Sequence, residues 1–202
     1  MWASKTEQKM PESFNRRRLL GFGAFAAAGL AAPGLLRAQV TMVQPSQGHH
    51  HNVAGFSAQR WQDHFQHLRK GAILCDLTSR VLHFWSEDEQ TYLVYPSSVP
   101  RDEEHTQRGY TEIVLKRRNP TWIPTPTMRA ADPTLPESIP PGPDNPMGSR
   151  ALNLGWQYYR IHGIDNLDKI GRPASSGCVG LFNPNVEELF ELVQVGTQVR
   201  FL

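Results

Sequence analysis

The residues with the clearest potential for chemistry lie in two short segments near the end of the chain. Residues 161–163 carry His162, and residues 175–179 carry Cys178 in a Ser/Gly-rich run. A neighbouring imidazole can take the proton of a thiol, and a nearby imidazolium lowers the thiol pKa. Gly177 leaves space beside the sulfur and lets backbone N–H groups point at a developing oxyanion. The pattern indicates a nucleophilic cysteine, although a buried cysteine in a turn would show the same residues.

The elements that must position these residues are mostly strands. Runs with a period of two predict strands at residues 72–77, 81–85, 92–95, 110–115, 151–154, 156–162 and 198–202. The sixth of these strands would deliver His162 at its end. Cys75 lies in the first strand among aliphatic residues, where a thiol usually serves packing.

Two segments have helical spacing. In residues 57–68 the apolar face is formed by Trp61, Phe65 and Leu68, with Ser57 as the candidate N-cap. Residues 185–193 predict a second helix that Asn183 or Asn185 would cap. The local pattern therefore predicts a mainly β domain with two helices.

A proline-rich segment, residues 119–145, separates the two halves of the predicted sheet. Its prolines exclude a helix or a central strand, and loops of this length are usually functional lids or disordered. The segment also contains Trp122, Ile123 and Met128, which favour a loop that packs on the domain.

The length and the charge of the chain limit the number of domains and the kinds of partner that we expect. The 202 residues suffice for one domain with a sizeable core. After the first 38 residues the chain has 15 basic and 17 acidic side chains. This balance gives no attraction to nucleic acid. The two cysteines form either one disulfide or two free thiols.

The first 38 residues have the order of an export signal. A basic cluster that includes Arg16 and Arg17 precedes an uncharged Ala/Gly/Leu-rich stretch, and a small residue, Ala38, marks a cleavage point. The paired arginines resemble the twin-arginine signal. A retained membrane anchor is the alternative. We predict an export signal at 1–38, a linker and short helix at 39–70, and a periplasmic catalytic domain at 71–202. Three histidines at 49–51 read as part of the linker rather than as a metal site.

From residue 72 to the end, the chain resembles the L,D-transpeptidase catalytic domain, also called the YkuD domain. The resemblance rests on motifs in the family's order: residues 145–152 (NPMGSRAL), 162–164 (HGI), 170–171 (IG), 175–180 (SSGCVG) and 195–199 (VGTQV). It implies a β-sandwich-like domain that acts on the stem peptides of peptidoglycan, with no metal or organic cofactor.

The resemblance also assigns roles by position. Cys178 is the nucleophile and His162 its base, the Gly163 carbonyl orients the imidazole, and the N–H groups of Gly177 and Cys178 face the oxyanion. The cysteine attacks the third stem residue, expels D-Ala and passes the acyl group to an amine, which gives a 3→3 cross-link or attaches a protein. Ser175 and Ser176 are predicted to contact substrate.

Two positions depart from the family pattern. Ser176 replaces a supporting histidine, and Gly180 replaces the usual Arg or Asn. Arg150, Lys169 and Arg172 are the candidates to supply the missing polar group, and Arg150 is the predicted substrate contact. Three functions remain open: a transpeptidase, a hydrolase on the same fold, and a non-catalytic peptidoglycan-binding module.

Overall fold

The structure, a computed structural model, describes residues 40–41 and 57–202. The predicted export signal and the three histidines of the predicted linker lie outside these residues. In the part of the chain that is described, no helix is both long and apolar enough to cross a bilayer.

Ten strands and two α-helices make up the described chain. The strands are β1 (Val40–Thr41), β2 (Ala72–Asp76), β3 (Val81–Trp85), β4 (Tyr92–Pro100), β5 (Gly109–Arg118), β6 (Arg150–Leu154), β7 (Arg160–Gly163), β8 (Pro173–Ser175), β9 (Val179–Leu181) and β10 (Gln198–Phe201). The helices are α1 (Pro126–Ala131) and α2 (Asn183–Leu192).

The strands form one sheet that closes on itself. Their order is β1-β4-β3-β2-β10-β5-β6-β7-β9, and β4 also pairs with β9. The first half of β4 is antiparallel to β3, while Ser97 and Ser98 in its second half face Leu181 and Gly180 of β9. The closed sheet confirms the prediction of a mainly β, sandwich-like domain with few helices.

The main core fills the inside of this sheet. It joins strand residues such as Tyr95 and Ile161 to the buried face of α2, which includes Val186, Leu189 and Phe190. The predicted apolar face of the late helix is therefore confirmed. The predicted asparagine cap is wrong, because the N-cap is Phe182 and no side chain caps the helix.

The helix predicted at residues 57–68 is also wrong. Only a single 3-10 turn, Trp61–Asp63, forms there. Phe65 and Leu68 are nevertheless buried, and they pack with Trp85 and Tyr92 against the outer side of β2–β4. The apolar spacing of the sequence serves this aromatic cluster and not a helical stripe.

The proline-rich segment folds as an ordered loop, and the prediction that its prolines exclude a helix is wrong because α1 forms within it. Thr125 caps α1 by accepting a hydrogen bond from the Met128 N–H at 3.2 Å, and Pro126 opens the helix, where its missing N–H costs nothing.

The side chain of Asn145 holds the two ends of this loop together. Asn145 is fully buried, and its amide donates to the carbonyls of Pro120, Ile139 and Pro140 at 2.8, 3.2 and 3.0 Å. Its own carbonyl accepts from the Met147 N–H at 2.8 Å. One side chain thus provides the hydrogen bonds that proline-rich backbone cannot make for itself.

Candidate active site

Strand β7 carries two side chains into a cleft. Arg160 and His162 alternate with the buried residues Ile161 and Gly163. A Cβ at Gly163 would collide with the Asn183 side chain, so this end of β7 lies against the start of α2. The imidazole therefore stands at the end of a fixed strand, as the sequence predicts.

The hydrogen bond of the His162 ring fixes its tautomer. Nδ1 lies 2.5 Å from the Gly163 carbonyl oxygen. Because a carbonyl only accepts, Nδ1 donates its proton and the lone pair is on Nε2. Burial lowers the pKa of His162 to about 4, and the hydrogen bond to Gly163 opposes that shift. The ring is therefore neutral at pH 7 and able to accept a proton.

A tight loop between β8 and β9 presents Cys178. Gly177 has φ +114°, and a Cβ there would lie 3.0 Å from the Tyr159 ring, so the position favours glycine. The hydroxyl of Ser175 donates to the Cys178 carbonyl at 2.5 Å. The loop is thus closed by its own side chain directly beside the sulfur.

The thiol of Cys178 is half-buried, and it donates to the Tyr158 carbonyl across 3.5 Å. Burial raises the pKa of this thiol, and the positive charge of Arg160 partly opposes the rise. An imidazolium beside the thiol would lower this pKa, but His162 is neutral here. At rest the site holds a neutral thiol and a neutral imidazole.

Both groups open into one cleft of about 290 Å³. Its polar lining includes Ser98, Arg160, His162, Lys169, Ser175, Ser176 and Cys178. Its apolar wall includes Trp122, Ile123 and Met128 from the proline-rich segment. The prediction that this segment packs on the domain is confirmed, and the segment forms one side of the cleft.

Of the three predicted substrate contacts, two line the cleft and one does not. Ser175 and Ser176 line the cleft, and the Ser176 hydroxyl accepts from Arg101 at 2.5 Å. Arg150 does not line it. Its guanidinium lies 5.6 Å from the centre of the Phe190 ring, and Nη1 donates to the Ser149 carbonyl at 2.8 Å. The alternation of β6 directs Arg150 toward α2, so its contact with substrate stays a prediction that the lining of this cleft does not support.

The space beside Gly180 is closed. Its N–H donates to the Ser98 hydroxyl at 3.1 Å, and a Cβ at this position would collide with Ser98 and with Ile164. A larger residue therefore does not fit here unless the Ser98 and Ile164 side chains move. Of the other two cations that we considered, Lys169 lines the cleft and Arg172 does not.

Sequence reasoning missed two lining residues that lie beside the thiol. Arg160 precedes His162 by two positions, so the strand period places both on one face. That signal was available in the sequence. Tyr158, with φ +67°, aims its carbonyl at the sulfur, and nothing in the local pattern indicated this conformation. Within the described chain, no group of three or more His, Cys, Asp or Glu side chains is placed to hold a metal.

A thiol, a neutral imidazole and a glycine-rich turn on a closed β-sheet define a cysteine acyltransferase. A family model of the YkuD L,D-transpeptidase catalytic domain matches residues 70–200. The chain belongs to this family of enzymes.

Known proteins agree with this assignment. An L,D-transpeptidase-family protein from the ATP synthase subunits region of Fuscovulum blasticum is 43% identical over 96% of this chain and 100% of its own length. Two from Escherichia coli K12, YbiS and ErfK/SrfK, are 40% and 36% identical over 60% and 67% of this chain. The chain spans only 41% and 44% of their lengths.

Solved structures show the same fold. An L,D-transpeptidase from Mycobacterium smegmatis has a TM-score of 0.52 at 17% identity, covering 66% of this chain and 58% of its own. L,D-transpeptidase 3 from Mycobacterium tuberculosis has a TM-score of 0.52 at 16% identity, over 66% of this chain and 61% of its own.

Proposed function

We propose that this protein is a peptidoglycan L,D-transpeptidase with Cys178 as the nucleophile and His162 as the base. The observation that carries the proposal is the pair of neutral groups in one cleft: a thiol that still holds its proton, and an imidazole whose Nε2 is free to take it. A general base must be neutral before the reaction, and His162 is neutral throughout the physiological range.

The first half-reaction forms a thioester with the third residue of a stem peptide. Nε2 of His162 takes the Cys178 proton as the sulfur attacks the carbonyl at the L-centre of that residue. The N–H groups of Gly177 and Cys178 stabilise the oxyanion. The imidazolium then protonates the departing nitrogen, and D-Ala leaves.

The second half-reaction returns the enzyme to its starting state. An amine of a second stem peptide, or of a protein, attacks the thioester and loses a proton to His162. The new amide is a 3→3 cross-link or a protein attachment, and the thiolate recovers its proton. Water as the acceptor would make the enzyme a carboxypeptidase.

Muropeptide analysis tests the proposal. Tetrapeptide muropeptides are incubated with the protein, with Cys178→Ala and with His162→Ala, and the products are resolved by mass spectrometry. We expect 3→3 dimers from the unmodified protein only. Shortened stems alone would indicate the hydrolase, and unchanged peptides in every sample would indicate a binding module.

We also propose that residues 1–38 are a twin-arginine export signal and that the catalytic domain, 71–202, works in the periplasm after a linker at 39–70. The proposal is supported by the basic cluster at the start of an uncharged apolar stretch. Replacing Arg16 and Arg17 with Lys should leave a precursor in the cytoplasm. Unchanged export would indicate the general secretory route, and an intact N-terminus in the membrane fraction would indicate an anchor.

A further inference from the structure

Arg160 lies beside the reactive sulfur. In the parallel pair β7–β9, Ile161 is opposite Val179, so the next positions toward the start of both strands are Arg160 and Cys178. The guanidinium and the thiol also donate to the same Tyr158 carbonyl, at 3.4 and 3.5 Å. The positive charge is therefore adjacent to the atom that attacks the substrate.

No carboxylate in the cleft pairs with the Arg160 guanidinium. No Asp or Glu is among the residues that line the cleft. The other lining cation, Lys169, is paired with Asp165 at 2.9 Å. Arg160 has no carboxylate within 4 Å in the described part of the chain. A half-buried guanidinium of this kind is suited to an anion that arrives with the substrate.

One cation of the cleft, Arg160, lies on β7, whereas the family pattern has a polar side chain at position 180, on β9. The family position for a polar side chain is on β9, and here Ser98 and Ile164 fill the space that such a side chain would need. His162 is opposite Gly180 in the strand register. Arg160, on the same face of β7 as His162, brings a cation to the cleft from the neighbouring strand.

We propose that Arg160 binds the free α-carboxylate of the residue that leaves during acylation. This inference rests on the proposed function and names the substrate feature that the same site selects. In the leaving residue, only the Cα atom separates the carboxylate from the scissile nitrogen. A guanidinium next to the sulfur can thus hold the carboxylate through two N–H groups while the sulfur attacks the adjacent carbonyl.

Two substrates test the proposal: a stem tetrapeptide with a free C-terminal carboxylate, and the same peptide with a C-terminal amide. We measure kcat/KM for acylation of Cys178 by mass spectrometry. The unmodified protein should prefer the acid by about ten- to hundredfold, as expected for a hydrogen bond between charged groups. Arg160→Gln should lose this preference, so that its rates with the acid and with the amide become equal.

Two further variants complete the experiment. Arg160→Lys keeps the positive charge but not the paired N–H donors of a guanidinium, and it should retain part of the preference for the acid over the amide. Arg69→Gln removes an exposed arginine outside the cleft and should behave as the unmodified protein. Thermal melting checks that each variant folds. If Arg160→Gln does not fold, the acid/amide ratios of Arg160→Lys and of the unmodified protein decide the question.

The outcomes separate the two proposals. An unchanged acid/amide ratio in Arg160→Gln overturns the carboxylate site while acylation itself persists. An equal loss with both substrates also overturns it, and would show that Arg160 acts on the thiol. If the unmodified protein is acylated by neither peptide, the proposed function fails, and the inference fails with it.

Discussion

In the resting site, the proton that His162 would accept is still on the Cys178 sulfur. Burial lowers the pKa of His162 and raises that of Cys178, so neither group is charged before substrate binds. In the proposed mechanism, charge separation occurs only during the attack, next to the N–H groups of the Gly177 turn. The site therefore depends on a correctly placed neutral base rather than on a preformed thiolate.

The two cysteines should differ sharply toward a thiol reagent. Cys75 is buried in β2 and its pKa is raised strongly, while Cys178 opens into the cleft. Brief iodoacetamide treatment followed by peptide mass spectrometry should find Cys178 alkylated and Cys75 intact. Because the Cys178 pKa is also raised, its rate of alkylation should still increase above pH 9. Equal labelling, or a Cys75–Cys178 disulfide in active protein, would contradict the assignment of the nucleophile.

Restoring the usual arginine at position 180 should damage the protein. In Gly180→Arg the new Cβ has no room beside the Ser98 and Ile164 side chains, so these side chains must move. Overpacking of this kind costs about 1–3 kcal/mol or more of unfolding free energy, which lowers the melting temperature by several degrees. Gly142→Ala, where nothing lies within 4 Å of a Cβ, is the matched control and should melt as the parent does. A Gly180→Arg variant with parental stability would show that the loop rearranges freely.

At the scale of elements, the proline-rich segment is a structured wall of the cleft. It contributes Trp122, Ile123 and Met128, and Asn145 fastens its two ends. Prolines lack the N–H groups that a sheet or a long helix needs, so the few backbone hydrogen bonds of this wall, such as the bridge between Trp122 and Ile139, are supplemented by those of the Asn145 side chain.

Asn145→Ala should loosen this wall. The variant removes the two N–H groups that three carbonyls share and the oxygen that accepts from the Met147 N–H, which costs about 2–4 kcal/mol of unfolding free energy. We expect KM for the stem peptide to rise more than kcat falls, because the wall contacts substrate and not the reacting atoms. Asp144→Ala, an exposed neighbour, is the control for thermal melting and kinetics. A fall in kcat without a change in KM would mean that the wall acts on the catalytic pair instead.

The sequence predicted most of the strands, and it placed His162 and Cys178 where the structure brings both into one cleft. Strand β10 follows from alternation because one of its faces is buried, whereas β2 and β3 are buried on both faces and follow from their apolar composition. The apolar spacing at residues 57–68 gave a false helix because it serves the cluster around Trp85. The position of Arg150 outside the cleft lining could not be foreseen, because alternation defines two faces of a strand without saying which one meets the cleft. Asn145 was not recognised, since its role depends on carbonyls that only the folded loop brings together.

For the molecule as a whole, the buried His83 and the partly buried His162 make the free energy of unfolding depend on pH. His83 is inaccessible to solvent, and its Nδ1 lies 2.8 Å from the Tyr92 hydroxyl. Burial lowers its pKa to about 4, as it does for His162. Unfolding returns both rings to water and to their ordinary pKa of 6.5.

The protein should therefore lose stability in mild acid. Between pH 6.5 and 4 these two histidines bind protons in the unfolded chain but not in the folded chain. Their contribution to the free energy of unfolding is therefore full above pH 6.5 and declines as the pH falls below it. Each histidine contributes on the order of 1 kcal/mol per pH unit in this window. Denaturant unfolding at pH 7, 6 and 5 measures the slope. His83→Phe should reduce that slope by about half, and an unchanged slope would exclude His83 as a contributor.

The contact between Ser98 and Gly180 has a consequence for ancestry. In a lineage that passes from a side chain at position 180 to glycine, the serine on β4 can settle against the vacated backbone only afterwards. With the serine in that place, an arginine at position 180 would meet an occupied space. We therefore expect substitutions at Ser98 and Gly180 to be non-additive, because each changes the room that the other needs.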